Sequence, residues 1–170
     1  MNLAKEREMS DIRRRAIKGL RAGDRFTLTR TFTEADMSAF GRITRDFNPV
    51  HYDRRFAEAK NFRDRICHGL LVAGLLTEIG GQVGWLASGM NFRFKKPVYF
   101  GDTITCTLKI KTIDAAGRAT AESIFRNQSD QIVLEAELAG YLPNRSERAI
   151  MQTSIDPEAP ALFSGAAEGQ

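Results

Sequence analysis

The run Leu70-Leu71-Val72-Ala73-Gly74-Leu75-Leu76-Thr77-Glu78-Ile79 is apolar at nearly every position, and a helix that is apolar all round must be buried on all sides. Beyond Met90 the pattern changes period. Phe92 and Phe94, then Ile104, Cys106, Leu108 and Ile110, then Ala119, Ala121, Ser123 and Phe125, then Ile132, Leu134, Ala136 and Leu138 fall on alternate positions. Such alternation marks strands with one inward face. Turn signals at Gly101-Asp102, Asp114-Ala115-Ala116-Gly117 and Asn127-Gln128-Ser129-Asp130 separate them, so an antiparallel meander is expected.

One buried helix followed by long antiparallel strands predicts an α+β fold in which the sheet wraps the helix. That is the outline of a hot-dog fold, although a two-layer sandwich with its helices on one side satisfies the same periodicity. Toward the N-terminus, Phe26, Leu28, Arg30 and Phe32 alternate after Gly23-Asp24 and predict a further short strand. Thr33-Glu34-Ala35-Asp36 then reads as a capped helix start with acidic residues in the first turn. That helix is expected to end near Asp46, because Pro49 disfavours helical geometry at Asn48.

The 170 residues fit one domain, and a hydrophobic share of 42% is enough for a core. Residues 1–23 are expected to form a basic, helical, solvated arm, and Arg13-Arg14-Arg15 a solvated face rather than a nucleic-acid site. Residues 24–143 form the folded domain. Residues 144–170, rich in Pro, Ala, Ser, Gly and Glu without periodicity, are expected to be disordered. The net charge of +4 favours anionic partners without naming one. Two cysteines predict free thiols in a reducing, cytoplasmic setting rather than a disulfide framework. The N-terminal stretch has no apolar run of the secretory kind, and the longest run, Leu70 to Leu76, falls short of the ~20 residues of a membrane span.

Histidine occurs only twice. The first lies in Thr44-Arg45-Asp46-Phe47-Asn48-Pro49-Val50-His51, where a stiff Asn-Pro link can hold the Asp46 carboxylate and the His51 imidazole about one water molecule. Asn48 is expected to bond local backbone and shape the loop. The second, His68, precedes the apolar helix and is expected to make a structural hydrogen bond. Backbone N–H groups at a helix start are unpaired and favour negative charge, so the Gly69 N–H is the candidate oxyanion donor.

Asp46-Phe47-Asn48-Pro49-Val50-His51 resembles the signature of MaoC-like (R)-specific enoyl-CoA hydratases. The resemblance continues through Arg65-Ile66-Cys67-His68-Gly69-Leu70-Leu71 and through Phe94 to Thr103, and spans about Phe26 to Pro143. It implies reversible hydration of a 2-enoyl thioester, Asp46 and His51 as catalytic pair, a homodimer, and coenzyme A only as part of an acyl-CoA substrate. Thr77 matches a hydroxyl position near the active site in such proteins, a possible water or substrate contact. Two departures are Arg45 directly before the Asp, and a segment from Gly80 to Met90 shorter than the corresponding acyl-pocket loop.

Simpler readings stand beside these. Arg93 and Lys95 share one strand face and either meet coenzyme A phosphates or are merely solvated. No metal site is expected, because Cys67, His68, Cys106 and His51 lack ligand spacing, and no cofactor, nucleic acid or membrane partner is implied. A hot-dog thioesterase and a non-catalytic acyl-CoA-binding domain are the competing functions.

Overall fold

The computed structural model describes residues 3–153, with side chains from 11 to 152. Five strands form one antiparallel sheet in the order β1-β3-β4-β5-β2. They are β1 (Arg25–Thr31), β2 (Leu86–Phe94), β3 (Thr103–Ile113), β4 (Arg118–Arg126) and β5 (Ile132–Tyr141). The alternation read from sequence is the burial pattern observed: Ile104, Cys106, Leu108 and Ile110 of β3 are all at most 2% exposed. The α+β hot-dog arrangement follows, with β3, β4 and β5 as the expected meander and β1 and β2 as the two edges.

The helix expected over the apolar run is two helices, α5 (Gly69–Ala73) and α6 (Leu75–Val83). They divide at Gly74, where an added Cβ would stand 2.9 Å from the Leu71 carbonyl oxygen. The Thr77 hydroxyl donates to the Gly74 carbonyl at 2.7 Å, beside the N–H groups of Thr77 and Glu78. Val72, Ala73, Leu75, Leu76, Ile79 and Val83 are buried against the sheet, but Leu70 is 58% exposed. Burial on all sides is therefore not what this run achieves: one stripe faces the core, and Leu70 and Thr77 face outward.

The segment after α6 departs from expectation too. Gly84 turns the chain in the left-handed region (φ 75°) and β2 begins at Leu86, so a strand replaces the anticipated loop. Leu86, Met90 and Phe94 of this edge strand remain exposed.

Both terminal expectations need correction. Helix α1 (Leu3–Lys18) is not a solvated arm but packs along α6, burying Ile12 and Ala16 in the core. Arg13 Nη2 donates to the Gly81 carbonyl at 2.9 Å, and the Arg15 guanidinium sits 4.4 Å above the Phe26 ring. The basic run therefore splits, with only Arg14 left fully to solvent. At the other end, Arg145–Thr153 is a helix, α7, where disorder was expected. A reciprocal cap starts it: Asn144 Oδ1 accepts from the Glu147 N–H at 3.0 Å and Glu147 Oε2 from the Asn144 N–H at 2.7 Å. Met151 then packs on the core. The rest of that tail, 154–170, lies outside the described residues. No described helix is long and apolar enough to cross a membrane.

Candidate active site

Helix α2 (Glu34–Thr44) begins as its sequence predicts. The Thr33 hydroxyl accepts from the Asp36 N–H and the Asp36 carboxylate from the Thr33 N–H. It ends at Thr44 because Arg45 adopts the left-handed region (φ 57°, ψ 23°), three residues before Pro49 makes itself felt at Asn48. Arg45 thus serves as the C-cap that turns the chain into the Asp46 loop. Asn48 shapes this loop as expected: its Oδ1 accepts from the Val50 N–H at 3.2 Å, while its own N–H donates to Asp46 Oδ1 at 3.2 Å. The side chain thereby caps a one-turn helix, α3 (Pro49–Tyr52), with proline at its first position. His51 therefore projects from a helical turn, not from an extended link.

This turn brings Asp46 and His51 together, Oδ2 to Nε2, at 3.9 Å. His51 Nδ1 lies 2.8 Å from the Ile66 carbonyl oxygen. A carbonyl only accepts, so Nδ1 carries the proton and Nε2 presents a lone pair toward Asp46. Burial is the largest cause holding the His51 pKa below its ordinary 6.5; the bond to Ile66 and the Asp46 carboxylate oppose it, and His68 adds to it. His51 is thus a neutral base at physiological pH. Asp46 keeps 48% of its side chain exposed, open to water and solute.

His68 makes the structural hydrogen bond expected of it, and its partner is the site itself. Its Nε2 donates to the Asp46 backbone carbonyl at 2.9 Å, and its ring stacks on His51 with centroids 3.8 Å apart. The Phe40 ring closes the other side at 5.2 Å. The His68 Nδ1 and the Tyr52 hydroxyl are buried without hydrogen-bond partners among the described residues. Phe40, Tyr52 and this role of His68 escape sequence reading, since a backbone carbonyl partner leaves no residue-type signal.

A cavity of about 450 Å³ reaches this cluster at Asp46 and His68 but not at His51, and is lined further by Gly69, Phe94, Lys95 and Lys96 along with apolar residues of α5 and β5. Gly69 stands at the head of α5 as expected, and a Cβ there would meet the Phe94 ring at 2.5 Å. Close approach by Phe94 thus requires glycine, a reason invisible in sequence. Thr77 is not with them. It lines a separate apolar cavity of about 190 Å³ beside Trp85 and Met90, and its hydroxyl proton is spent on Gly74. Arg93 pairs with Glu137 at 2.9 Å and does not line the larger cavity beside Asp46, while Lys95 lines it but pairs with Glu135 at 3.1 Å.

Asp46, His51 and His68 bring ligating atoms within 4.8 Å of one another, closer than their sequence spacing suggested. His68 Nε2 already carries a proton bonded to a carbonyl, so it has no lone pair for a metal. The arrangement suits a polarised water. Both thiols are buried, and burial first pushes Cys67 and Cys106 up to about 12.

Comparison with known proteins decides the lineage. The family model for the MaoC like domain matches residues 21–131. The chain belongs to the MaoC-like domain family. Within it, an (R)-specific enoyl-CoA hydratase of Aeromonas caviae is 33% identical over 131 residues, covering 74% of this chain and 98% of the relative. The mitochondrial 3-hydroxyacyl-[acyl-carrier-protein] dehydratase of Arabidopsis thaliana is 28% identical, covering 74% and 79%. Among solved structures, the A. caviae (R)-hydratase involved in PHA biosynthesis superposes with a TM-score of 0.69 at 30% identity, covering 74% of this chain and 99% of that one. This MaoC-like chain is accordingly an enzyme of the hydro-lyase class.

Proposed function

We propose that the chain is an (R)-specific enoyl-CoA hydratase that reversibly adds water to a 2-enoyl thioester, with Asp46 and His51 as its catalytic pair. The observation that carries this is the 3.9 Å gap between Asp46 Oδ2 and the buried His51 Nε2, with Asp46 itself lining a 450 Å³ cavity. Two hydrogen bonds of ~2.8 Å span such a gap through one water. The pair holds that water, removes one of its protons as the oxygen bonds the β-carbon, and returns a proton to the α-carbon. Electrons of the alkene pass transiently to the thioester oxygen, for which the Gly69 N–H is the proposed donor. The sum is H and OH added across one double bond; neither residue is consumed, and no redox cofactor or metal is needed. Asn48 acts through the loop rather than on substrate.

The relatives' names support the substrate class: enoyl-CoA for A. caviae and a carrier-protein thioester for A. thaliana. A homodimer belongs to the same reading. An unpaired edge strand is a liability unless covered, and β2 exposes Leu86, Met90 and Phe94 along its length. The two buried free thiols fit a reducing, cytoplasmic setting.

The test follows loss of enoyl absorbance on crotonyl-CoA beside release of free thiol, with the configuration of the product determined. Absorbance loss giving the (R)-3-hydroxy product supports the assignment, and thiol release without hydration points to a thioesterase. Asp46→Asn and His51→Ala should each lower kcat by roughly 10²–10⁴-fold while the variants remain folded. Full activity in either variant would remove the catalytic assignment. Light scattering at working concentration should return twice the 19.0 kDa chain mass.

A further inference from the structure

The larger cavity beside Asp46 shares a wall with a second one. Lys96 and Pro97 line both, and the second, of about 270 Å³, is otherwise walled by Arg63, Tyr99, Asp102 and the turn that begins at Asn127. The first cavity is mostly apolar in its lining and the second mostly polar.

Its charges are arranged unevenly. The Arg63 guanidinium lies over the Tyr99 ring, 4.1 Å from its centroid, with 70% of the side chain exposed. Lys96 is exposed, and its ammonium has no ion-pair or hydrogen-bond partner among the described residues. Asp102, the one carboxylate, is 6% exposed and directed inward. Its Oδ2 accepts from the Tyr99 N–H at 2.9 Å and its Oδ1 from the Gln128 amide at 2.7 Å, leaving Arg63 at 3.9 Å. Gln128 is fixed in turn by accepting from the Thr103 N–H at 3.1 Å. The cavity therefore has a rigid floor, a satisfied carboxylate beneath it and two cations at its surface. Arg93 and Lys95, the cations singled out by sequence, are instead committed to Glu137 and Glu135.

We propose that this second cavity receives the phosphate-bearing nucleotide end of a coenzyme A thioester, with Arg63 and Lys96 as its cationic contacts. The inference rests on the hydratase reading. A thioester whose acyl end lies beside Asp46 leaves the apolar cavity past Lys96 and Pro97, and its carrier then meets the polar one. An arginine held flat by an aromatic ring offers its N–H edge to phosphate oxygens, and a lysine adds a point charge.

The experiment compares kcat/KM on crotonyl-CoA with that on crotonyl-pantetheine, which lacks every phosphate. Wild type should prefer the coenzyme A thioester, and Arg63→Gln and Lys96→Gln should each reduce that preference by about three- to tenfold, as expected of partly exposed charge contacts. The wild-type preference should also shrink with added salt, because exposed charges are screened. An unaltered preference in both variants overturns the proposal. Free coenzyme A titrated calorimetrically reads the same site without turnover. Weaker binding in the variants supports the site, and equal affinity overturns it. Should wild type bind coenzyme A more tightly than the variants yet hydrate neither thioester, the subsite stands and the hydratase reading falls.

Discussion

The imidazoles of His51 and His68 stack with centroids 3.8 Å apart and planes 28° from parallel. Each ring spends its one proton on a backbone carbonyl, His51 on Ile66 and His68 on Asp46. For His51 a second proton is opposed first by burial and then by the His68 ring beside it. The stack keeps His51 a base.

The pH dependence follows from that depressed His51 value. Hydration measured as kcat/KM should hold through neutral pH and fall only below 6.5, as His51 gains its proton in the free enzyme. Stability should follow the same sign. The unfolded chain binds a proton at His51 more readily than the folded one, so this contribution is complete above 6.5 and is lost as pH falls through the lower folded value. An acid limb centred above 6.5 would show that His51 is not the titrating base.

His68→Phe tests the clamp on the catalytic loop. The substitution keeps an aromatic ring between His51 and Phe40 but removes the N–H given to the Asp46 carbonyl. The lost bond should cost about 1 kcal/mol in urea denaturation. The loss in kcat should be larger, on the order of 10-fold or more, because a carboxylate misplaced by a fraction of an ångström no longer shares its water with His51. Wild-type kcat in this variant would show that His68 only fills space.

Much of this was legible in the sequence, for identifiable reasons. Strands β3, β4 and β5 each bury one face, so their alternation fixes them. The meeting of Asp46 and His51 was legible because proline restricts the chain between them, while their proposed catalytic role came from the family resemblance alone. The helix break was not legible: Gly74 sits in an apolar run, and only three-dimensional crowding by the Leu71 carbonyl shows its effect. Arg93 and Lys95 read as free cations because their partners, Glu137 and Glu135, belong to β5, a strand more than thirty residues later. Helix α1 read as solvated because, among its described side chains, only Ile12 and Ala16 mark a buried face, and the Arg15 guanidinium is held over the Phe26 ring.

Helix α1 should therefore prove part of the fold. Ile12 is 4% exposed within the core, so Ile12→Ala should destabilise by about 3 kcal/mol. On a solvated arm the same change would stay within ~0.5 kcal/mol. Urea denaturation distinguishes the two, with a lowered midpoint and an unchanged slope expected.

Gly41 supplies the last test, through a substitution that ordinarily helps a helix. Replacing a helical glycine by alanine commonly gains ~0.4–1 kcal/mol by restricting the unfolded chain. Here the added Cβ would stand 1.8 Å from the Tyr52 hydroxyl, which α2 covers, and 3.6 Å from the Asp46 carbonyl oxygen. Gly41→Ala should therefore destabilise and lower kcat, since Tyr52 can retreat only by displacing the turn that carries His51. Tyr52→Phe removes the clashing oxygen, a group buried without a hydrogen-bond partner among the described residues, and leaves the ring carbon 3.2 Å away. The double variant should recover most of both losses, a coupling of 1 kcal/mol or more by the usual range for residues in contact. Additive effects would mean that the glycine is there for some reason other than the tyrosine beneath it.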